Sequence, residues 1–279
     1  DVVGDESLYI PVLLNGINWT KLAVEDLDEG NNKFTFSYTL ADDLSGIYTA
    51  GIADDIPDEV PSFRTTGSGD WTDPSVWEPV GYGSVPANGP FGHIVEIRSE
   101  HTITIPSNRV RTYVTKVDGR LEIGETLQHS LGKVSGEGTI SIDIAMVPAG
   151  DFDDFLSNPN SVIEYVGNGS LPITDRFLNI PNIRVRGAGE IIFPAEHVTV
   201  EGNMYIEEDA IFRLQENVTI RGNLTITDNA VFQTAHNKEI DFYGDSIIIQ
   251  PDGRIDAELT STINFYGSND KHIVGDITG

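Results

Sequence analysis

The residue types best suited to chemistry in this 279-residue chain are acids and tryptophans, since cysteine is absent. Asp26, Asp28 and Asn31 place oxygen ligands close together along a predicted turn, a pattern that suits Ca²⁺. An EF-hand loop that begins at Asp26 would need a bidentate acid at the position of Ser37. The sequence therefore predicts a calcium site at Asp26, Asp28 and Asn31, with a solvated acidic hairpin as the alternative.

Two tryptophans are the candidate ligand-binding residues. Trp71 and Trp77 both lie in the turn-rich segment 67–77 (GSGDWTDPSVW). Exposed indole rings present flat apolar faces on which sugar rings stack. The alternative is that both side chains plug the open end of the domain that follows.

Catalytic residues are not predicted. Glycoside hydrolysis needs two carboxylates about 5 to 10 Å apart, and Glu207, Asp209 and Asp228 are expected to lie near one another. With 44 acidic residues, however, chance proximity is the expected result. The sequence has no zinc-binding HExxH, no GxSxG and no phosphate-binding glycine loop. No cofactor other than calcium is therefore expected.

Two pairs of arginines are the nearest approach to a basic cluster. Arg109 and Arg111 alternate along the chain, as do Arg184 and Arg186, so each pair shares one face of a predicted strand. A lyase acting on an acidic polysaccharide would need such a basic stripe along a groove. The alternative is that these arginines are ordinary solvated strand residues.

Composition excludes several classes of protein. The formal net charge of −27 opposes binding to a phosphate backbone. The chain is 39% hydrophobic, enough for a packed core. No apolar run approaches the ~20 residues that span a bilayer, and the first residues lack signal-peptide features. We therefore expect no nucleic-acid partner and no membrane span.

An internal repeat is the strongest pattern in the sequence. Residues 198–206 (VTVEGNMYI) align with residues 218–226 (VTIRGNLTI), and looser copies follow at 240–249 and from 263. A period of about 20 residues with several short β-branched runs indicates a solenoid. A left-handed β-helix would favour about 18 residues. The fold class predicted is all-β, with a right-handed parallel β-helix.

The repeat also predicts which side chains stack, because successive coils lie ~4.8 Å apart. Corner glycines would permit tight bends, and the polar residues after them would hydrogen-bond to the backbone. The predicted interior ladders are Val198–Val218–Ile240, Val200–Ile220–Phe242, Ile206–Ile226–Ile248 and Phe193–Phe212–Phe232. The predicted corner residues are Gly202, Gly222, Gly244 and Gly267, with Asn203, Asn223 and Asp245.

Four regions follow from composition and pattern. Residues 1–52 contain short alternating strands and predict a small β-sandwich-like (Ig-like) module or a fragment of one. Residues 53–61 form an acidic, proline-containing linker. Residues 62–92 form a tryptophan-containing N-terminal cap. Residues 93–279 form the parallel β-helix, which we expect to continue beyond residue 279.

Several segments resemble β-helical modules of large secreted and cell-surface proteins of Bacteroidota. Residues 67–77 resemble the "G-x-W-x-x-P-x-x-W" opening of such modules, and the 198–226 units resemble their repeats. Residues 265–275 (FYGSNDKHIVG) are similar to a recurring phrase of this family, with Lys271 where the family usually has Gln. The resemblance implies export by type IX secretion and a gliding-adhesin-like role, and it carries no catalytic residues.

The functional expectation is a non-enzymatic adhesin or scaffold module of a bacterial surface protein. It would act as a stiff spacer, located outside the cell or on its outer surface. Its expected partners are glycans or other surfaces, neighbouring modules of the same polypeptide and the secretion machinery. The alternative is a β-helical carbohydrate-active enzyme, a polysaccharide lyase or glycoside hydrolase, which only fold-level analogy supports.

Overall fold

The computed structural model describes residues 8–15, 18–22, 24–28, 33–36, 47–52, 60–81, 83–105, 109–124, 129–143, 147–167, 170–172, 177–250, 252–257 and 260–275. The chain is nearly all β, with 52% strand and 4% helix. Within these residues, no helix has the length and apolar character to cross a membrane.

A small antiparallel sheet lies at the N-terminal end of the chain. Its middle strand β1 pairs antiparallel with β2 and β5, while β3 and β4 form a separate antiparallel pair. The alternating segment 33–40 forms a strand over residues 33–36, and residues 37–40 lie outside the described ranges. The strands are β1 (Tyr9–Asn15), β2 (Asn18–Lys21), β3 (Val24–Asp28), β4 (Lys33–Phe36) and β5 (Ile47–Ile52).

The first part of the solenoid comprises short strands, one 3₁₀ turn and one short helix. Most strands alternate between inward buried and outward half-exposed residues, the period of two that a half-buried strand requires. These elements are β6 (Ser62–Thr65), β7 (Gly69–Asp70), the 3₁₀ turn (Pro74–Val76), β8 (Trp77–Val80), β9 (Ile94–Ile97), β10 (Thr102–Ile105), β11 (Val114–Val117), β12 (Arg120–Ile123), β13 (Ser130–Ser135), β14 (Thr139–Ile142), β15 (Ala149–Asp151) and α1 (Asp153–Leu156).

The second part contains the regular repeats and only strands. They are β16 (Val162–Val166), β17 (Ser170–Pro172), β18 (Asn179–Ile180), β19 (Ile183–Arg186), β20 (Glu190–Ile192), β21 (Val198–Val200), β22 (Met204–Ile206), β23 (Ile211–Leu214), β24 (Val218–Ile220), β25 (Leu224–Ile226), β26 (Val231–Thr234), β27 (Glu239–Phe242), β28 (Ser246–Ile249), β29 (Arg254–Ala257), β30 (Thr262–Phe265) and β31 (His272–Val274).

These strands stack into a parallel β-solenoid of about 8 turns. One ten-stranded sheet, from β7 to β31, runs through both parts, and we call it the long sheet. A six-stranded sheet accompanies it in the first part, and two five-stranded sheets accompany it in the second. Each coil therefore has two strand faces at first and three later. The predicted parallel β-helix behind a small β module is confirmed.

The solenoid begins within the segment predicted as a cap. Strand β6 pairs parallel with β9, and β7 pairs parallel with β10, so residues 62–70 already contribute to the first coil. Strand β8 then turns back antiparallel against β6. Because residues 67–92 form a Gly- and Pro-rich stretch in the sequence, the sequence pattern did not predict β7 and β8.

Two of the four predicted interior ladders are confirmed in full, and the aromatic ladder is confirmed in part. The ladder residues are almost completely buried, which stabilises each side chain by about 1.5 to 3 kcal/mol relative to exposure. In the aromatic ladder the ring centroids of successive phenylalanines are 4.5 and 5.4 Å apart. The ladders confirmed in full are Val198–Val218–Ile240 and Val200–Ile220–Phe242. In the aromatic ladder Phe212 lies opposite Phe232, but the residue opposite Phe212 in the preceding coil is Ile191, and the Phe193 ring contacts Phe212 from two residues further along the chain.

The fourth ladder was predicted with the wrong third member. Ile226 lies opposite Ile249, whereas Ile248 lies opposite Thr225 on the outward face. The turn that follows Gly244 is one residue longer than the turn that follows Gly222, as the pairing of the next strands requires. A one-residue shift moves a side chain to the other face of a strand, so the simple repeat offset misplaced this residue.

The corners of the coils behave as predicted, through close backbone stacking. A Cβ atom at Gly222 would overlap the backbone of Gly202 in the coil below. Beside the glycines, the Asn203 side chain accepts a hydrogen bond from the Asn223 backbone N–H at 2.9 Å. Asn223 in turn accepts one from the backbone N–H of Asp245 at 3.1 Å. Such an amide ladder satisfies backbone groups that face the corner.

The core of the solenoid contains the buried hydroxyl group of a tyrosine. The Tyr165 hydroxyl is fully enclosed and has no hydrogen-bond partner among the described residues. Burial raises the pKa of this hydroxyl, so it remains neutral. Without a partner, a buried hydroxyl destabilises the folded state by about 1 to 3 kcal/mol.

We therefore expect Tyr165→Phe to be neutral or to raise the free energy of unfolding by about 1 kcal/mol. Urea denaturation monitored by circular dichroism would measure this change. Tyr205→Phe is the matched control, because Tyr205 lies on the outward face of the same sheet. A loss of stability specific to Tyr165→Phe would mean that the hydroxyl has a partner after all.

Candidate functional site

The outer face of the long sheet carries the densest group of charged side chains in the described part of the chain. Parallel pairing in register stacks Ser141 on Glu164 and Glu164 on Arg184, and then Arg184 on Tyr205. Because alternate strand residues point to the same face, all of them point away from the core. We call the following group the arginine–glutamate cluster: Arg120, Ser141, Glu164, Arg184, Arg186 and Glu207.

Glu164 is the centre of this cluster and is almost fully enclosed, with 1% of its side chain exposed. From β12, Arg120 reaches across two coils, and its Nη1 donates to Glu164 Oε2 at 3.2 Å while its Nη2 donates to Oε1. The Ser141 hydroxyl donates to Oε1 at 2.8 Å. From the opposite direction Arg186 Nε donates to the same oxygen at 2.9 Å.

These contacts keep Glu164 ionised despite its burial. Burial alone would raise the pKa of the Glu164 carboxyl. Hydrogen bonds from Arg120 and Arg186 outweigh burial and hold the pKa below its ordinary value. Charge-assisted hydrogen bonds are about twice as strong as neutral ones. Glu164 is therefore a fixed negative charge that links four consecutive strands of the long sheet.

Arg184 connects Glu164 to a second carboxylate. Its Nη1 lies 3.9 Å from Glu164 Oε2, and its Nε lies 3.5 Å from Glu207 Oε2. The guanidinium also lies over the Tyr205 ring, 5.5 Å from the centroid. Burial raises the pKa of Glu207, although Arg184 opposes the shift. Glu164 and Glu207 both contact Arg184, and their carboxyl pKa values are shifted in opposite directions, down for Glu164 and up for Glu207.

Opposite displacement of two carboxyl pKa values is what acid–base catalysis requires. A glycosidase also needs both carboxyls to reach the sugar. Glu164 does not meet this requirement, because Arg120, Arg186 and Ser141 occupy its oxygens and enclose it. The geometry of the cluster therefore fits the cross-linking of coils better than chemistry on a substrate.

The two tryptophans lie inside the first coil. Trp71 is 1% exposed and Trp77 4% exposed, and their rings pack edge to face at 5.0 Å. The Trp77 indole N–H donates to the Trp71 backbone oxygen, and the Trp71 indole N–H donates to the Pro90 oxygen, both at 2.9 Å. Neither ring offers a face to solvent, so sugar stacking finds no support here. The alternative of an end plug fits this burial.

Replacing Trp71 by alanine should lower the free energy of unfolding by about 3 kcal/mol or more, because it empties this end of the core. Any loss of glycan binding should then follow the loss of folded protein. Thermal unfolding and binding measured on the same samples would check both points. Binding lost while the fold remains intact would contradict the plug and favour a stacking role.

The predicted calcium residues lie at the antiparallel pair in the N-terminal region. Asp26 and Asp28 are in β3, where Asp28 lies opposite Lys33 and Asp26 opposite Thr35. Asn31 lies outside the described residues. The described ranges contain no group of three or more His, Cys, Asp or Glu arranged to hold a metal ion. Calcium binding by Asp26, Asp28 and Asn31 stays a prediction.

The other predicted groups come together only in part. Arg184 and Arg186 lie in the cluster, whereas Arg111 bridges to Ser130, at the start of a strand of the six-stranded sheet. Arg111 therefore pairs with a different sheet from the one that contains Arg184 and Arg186. Of the three acids considered for hydrolysis, Glu207 lies in the cluster. The other two are stacked at a corner, where the backbone N–H of Asp209 donates to the Asp228 oxygen at 2.8 Å.

Glu164 and Arg120 were not predicted from the sequence as site residues. A signal was present, because Glu164 is the single charged residue inside the otherwise apolar and aromatic strand VIEYV. A charge in such a strand needs a partner. The partner in β12 is 44 residues away and two coils distant, in a part of the chain where the offsets between successive coils are 19 and 23 residues.

Comparison of the chain with protein families, with curated proteins and with solved structures finds no match. The assignment of function therefore depends on the residues of this chain alone.

Proposed function

We propose that this chain is a non-catalytic scaffold or adhesin module of a large bacterial surface protein. It acts as a stiff spacer and offers its lateral faces to glycans, to other surfaces or to neighbouring modules. The observation that carries the proposal is the arginine–glutamate cluster. Its most enclosed carboxylate, Glu164, accepts hydrogen bonds from side chains of neighbouring coils. These ion pairs therefore connect the coils of the solenoid, and they leave the Glu164 oxygens occupied.

The dimensions of the solenoid support the role of a spacer. About 8 turns at ~4.8 Å per coil give a rod roughly 40 Å long. Interior ladders, corner asparagines and paired charges all run along its axis, so each coil is fixed to the next by several independent contacts. Quasi-one-dimensional proteins of this type derive their stability from such neighbour contacts.

The resemblance of residues 67–77 and 265–275 to secreted β-helical modules supports the location. We propose that the chain works outside the cell or on its outer surface after export by type IX secretion. Its partners there are glycans or surfaces, the adjoining modules of the same polypeptide and, during export, the secretion machinery. The net charge of −27 favours neutral over acidic glycans, because like charges repel.

A glycan array probed with the 279-residue chain, with calcium and with a chelator, tests the adhesive part of the proposal. We expect binding to neutral glycans, and binding lost on chelation would support the calcium site. Asp26→Asn with Asp28→Asn is the matched variant for that site. If no glycan binds in either condition, the role of an adhesin is contradicted and only the role of a spacer is retained.

A carbohydrate-active enzyme is the second candidate, and one observation favours it. Glu207 has a raised pKa and lies beside Arg184 and Tyr205 on an accessible face, as a general acid would. The weakness of this candidate is the second carboxylate, because Glu164 is enclosed.

A further inference from the structure

Two histidines of the first coil contact the same strand, β6. His93 precedes β9, and its ring packs edge to face on Phe63 with the centroids 5.0 Å apart. His101 precedes β10, and its Nδ1 lies 2.7 Å from the hydroxyl oxygen of Thr65. Phe63 and Thr65 are both buried, so they lie on the inner face of β6. Two imidazole rings therefore help to hold β6 in the first coil.

The buried nitrogen of His93 has no group to bind. Its Nδ1 is enclosed and lacks a hydrogen-bond partner among the described residues. A neutral imidazole leaves one nitrogen without a hydrogen, whereas the protonated ring carries a hydrogen on both nitrogens. Protonation would therefore place an N–H donor and a positive charge where no acceptor is present, which is unfavourable. Burial accordingly lowers the pKa of His93.

The hydrogen bond between His101 and Thr65 requires an Nδ1 without a hydrogen. The Thr65 hydroxyl oxygen already accepts the backbone N–H of Arg98 at 3.0 Å. Its own hydrogen then donates to Nδ1 of His101, which acts as the acceptor. When His101 is protonated, this nitrogen becomes a donor and the buried Thr65 hydroxyl loses its acceptor. An unsatisfied buried hydroxyl weakens the attachment of β6.

The charged side chains of the strands around His93 point outward and bind one another. Burial alternates along β6, β9 and β11, and the charged residues occupy the more exposed positions. Arg64 Nε and Arg98 Nη2 lie 2.6 and 3.2 Å from the same oxygen of Glu78. Lys116 Nζ lies 2.9 Å from Glu96 Oε1. Burial is the one cause that displaces the pKa of His93, so none of these groups stabilises its charged form.

The surroundings of His101 also offer no enclosed counter-charge among the described residues. Strand β10, with the sequence TITI, has no charged side chain. On β7, Asp70 lies opposite Thr104 and is exposed. From the next coil, the Arg120 backbone N–H donates to the His101 oxygen at 2.8 Å, while the guanidinium binds two glutamates. Glu100 is adjacent in the chain, but it is exposed to solvent, where charges interact weakly.

We propose that the contact of His93 and His101 with β6 is a pH-sensitive switch, in which protonation of both rings releases β6 from the first coil. Strand β6 pairs parallel with β9 and antiparallel with β8. Strand β8 begins at Trp77, whose indole N–H donates to the Trp71 backbone oxygen. Release of β6 would therefore also expose the two tryptophans that plug this end of the core.

The direction of the pH dependence follows from His93. Its pKa in the folded state is lowered from the ordinary value of 6.5, so above pH 6.5 the stability of the first coil is fully present. As the pH falls below 6.5, the released strand binds protons that the folded coil excludes, and the stability decreases. Since the chain enters the solenoid at β6, the switch controls how firmly the preceding residues are attached to the rod.

Hydrogen exchange followed by mass spectrometry, at about pH 7.5 and about pH 5.5, tests the switch in the 279-residue chain. Rates are corrected for the intrinsic effect of pH on exchange. Protection of residues 60–80 should fall about tenfold or more at the lower pH, because one histidine kept neutral contributes up to about tenfold at one pH unit below 6.5. Protection of the regular coils at residues 198–226 should not change.

The double variant His93→Gln with His101→Asn removes both titrations. Glutamine is uncharged at either pH, and the amide oxygen of asparagine can take the place of Nδ1 and accept from Thr65. This variant should keep its protection at the lower pH, and circular dichroism at the higher pH would verify its fold. His272→Gln is the matched control, because His272 is exposed in β31, and it should behave like the wild type.

Three results would overturn the proposal. The first is protection of residues 60–80 that does not depend on pH in the wild type. The second is an equal loss of protection in the wild type and the double variant, since other groups would then be responsible. The third is a loss at residues 198–226 as large as that at residues 60–80, which would mean that the whole solenoid opens instead of its first coil.

Discussion

Replacing Glu164 by glutamine should lower the free energy of unfolding by about 3 kcal/mol, the largest loss expected from a single polar substitution in this chain. The carboxylate accepts hydrogen bonds from Arg120, Arg186 and Ser141 in a site with 1% exposure. Glutamine keeps the shape but leaves the arginines without their counter-charge. Urea denaturation at neutral pH would measure the change without screening the ion pairs.

Glu201→Gln is the matched control for this experiment. Glu201 also contacts an arginine of the next coil, with Arg221 Nε 3.0 Å from its Oε2, but more than half of each side chain is exposed. Exposed pairs contribute less than about 1 kcal/mol. Equal small losses at Glu164 and Glu201 would contradict the view that the arginine–glutamate cluster holds the coils together.

The difference between wild type and Glu164→Gln should also depend on pH. Because the folded-state pKa of Glu164 is lowered, its contribution is complete above the ordinary value of 4.5 and disappears as the pH falls through the folded-state value. Glutamine does not titrate. Repeating the denaturation well below pH 4.5 should therefore bring the two proteins closer together in stability. A gap that stays constant would mean that glutamine acts through packing and not through charge.

Alanine at Gly222 should also have a large effect, lowering the free energy of unfolding by about 3 kcal/mol. The new Cβ would overlap the backbone of Gly202, which cannot move away without separating two coils. The corner hydrogen bond between Asn203 and the Asn223 backbone would be strained with it. Thermal and urea unfolding would both report the loss.

Gly67→Ala provides the control for a glycine without close neighbours. An added Cβ at Gly67 would meet no atom within 4 Å. That substitution should be neutral or stabilise the protein by up to about 1 kcal/mol, because alanine lowers the conformational entropy of the unfolded chain. If Gly222→Ala proved as mild as Gly67→Ala, the close stacking of coils at the corners would be refuted.

The regular half of the solenoid was predictable from sequence because each coil there is built alike. The copies at 198–206 and 218–226 place the same residue types one coil apart, so the ladders could be read directly. The prediction of Ile248 was wrong where the coil length changed, since one extra residue reverses the face.

The candidate site was harder to predict because its parts come from the irregular half. Arg120 and Glu164 are brought together by coils of unequal length, one of which contains α1. No fixed offset relates such residues. For Trp71 and Trp77 the residue type predicted a role in binding a ligand. Their hydrogen bonds and their burial instead place both side chains in the core.

The most direct test of the non-catalytic scaffold is a search for polysaccharide cleavage. Neutral and acidic polysaccharides would be incubated with the 279-residue chain, with Glu207→Gln and with Arg184→Ala, and new chain ends would be counted over time. If the module is a non-catalytic scaffold, none of the three proteins should produce new chain ends. Cleavage by the wild type that Glu207→Gln abolishes would contradict it and identify Glu207 as a catalytic acid.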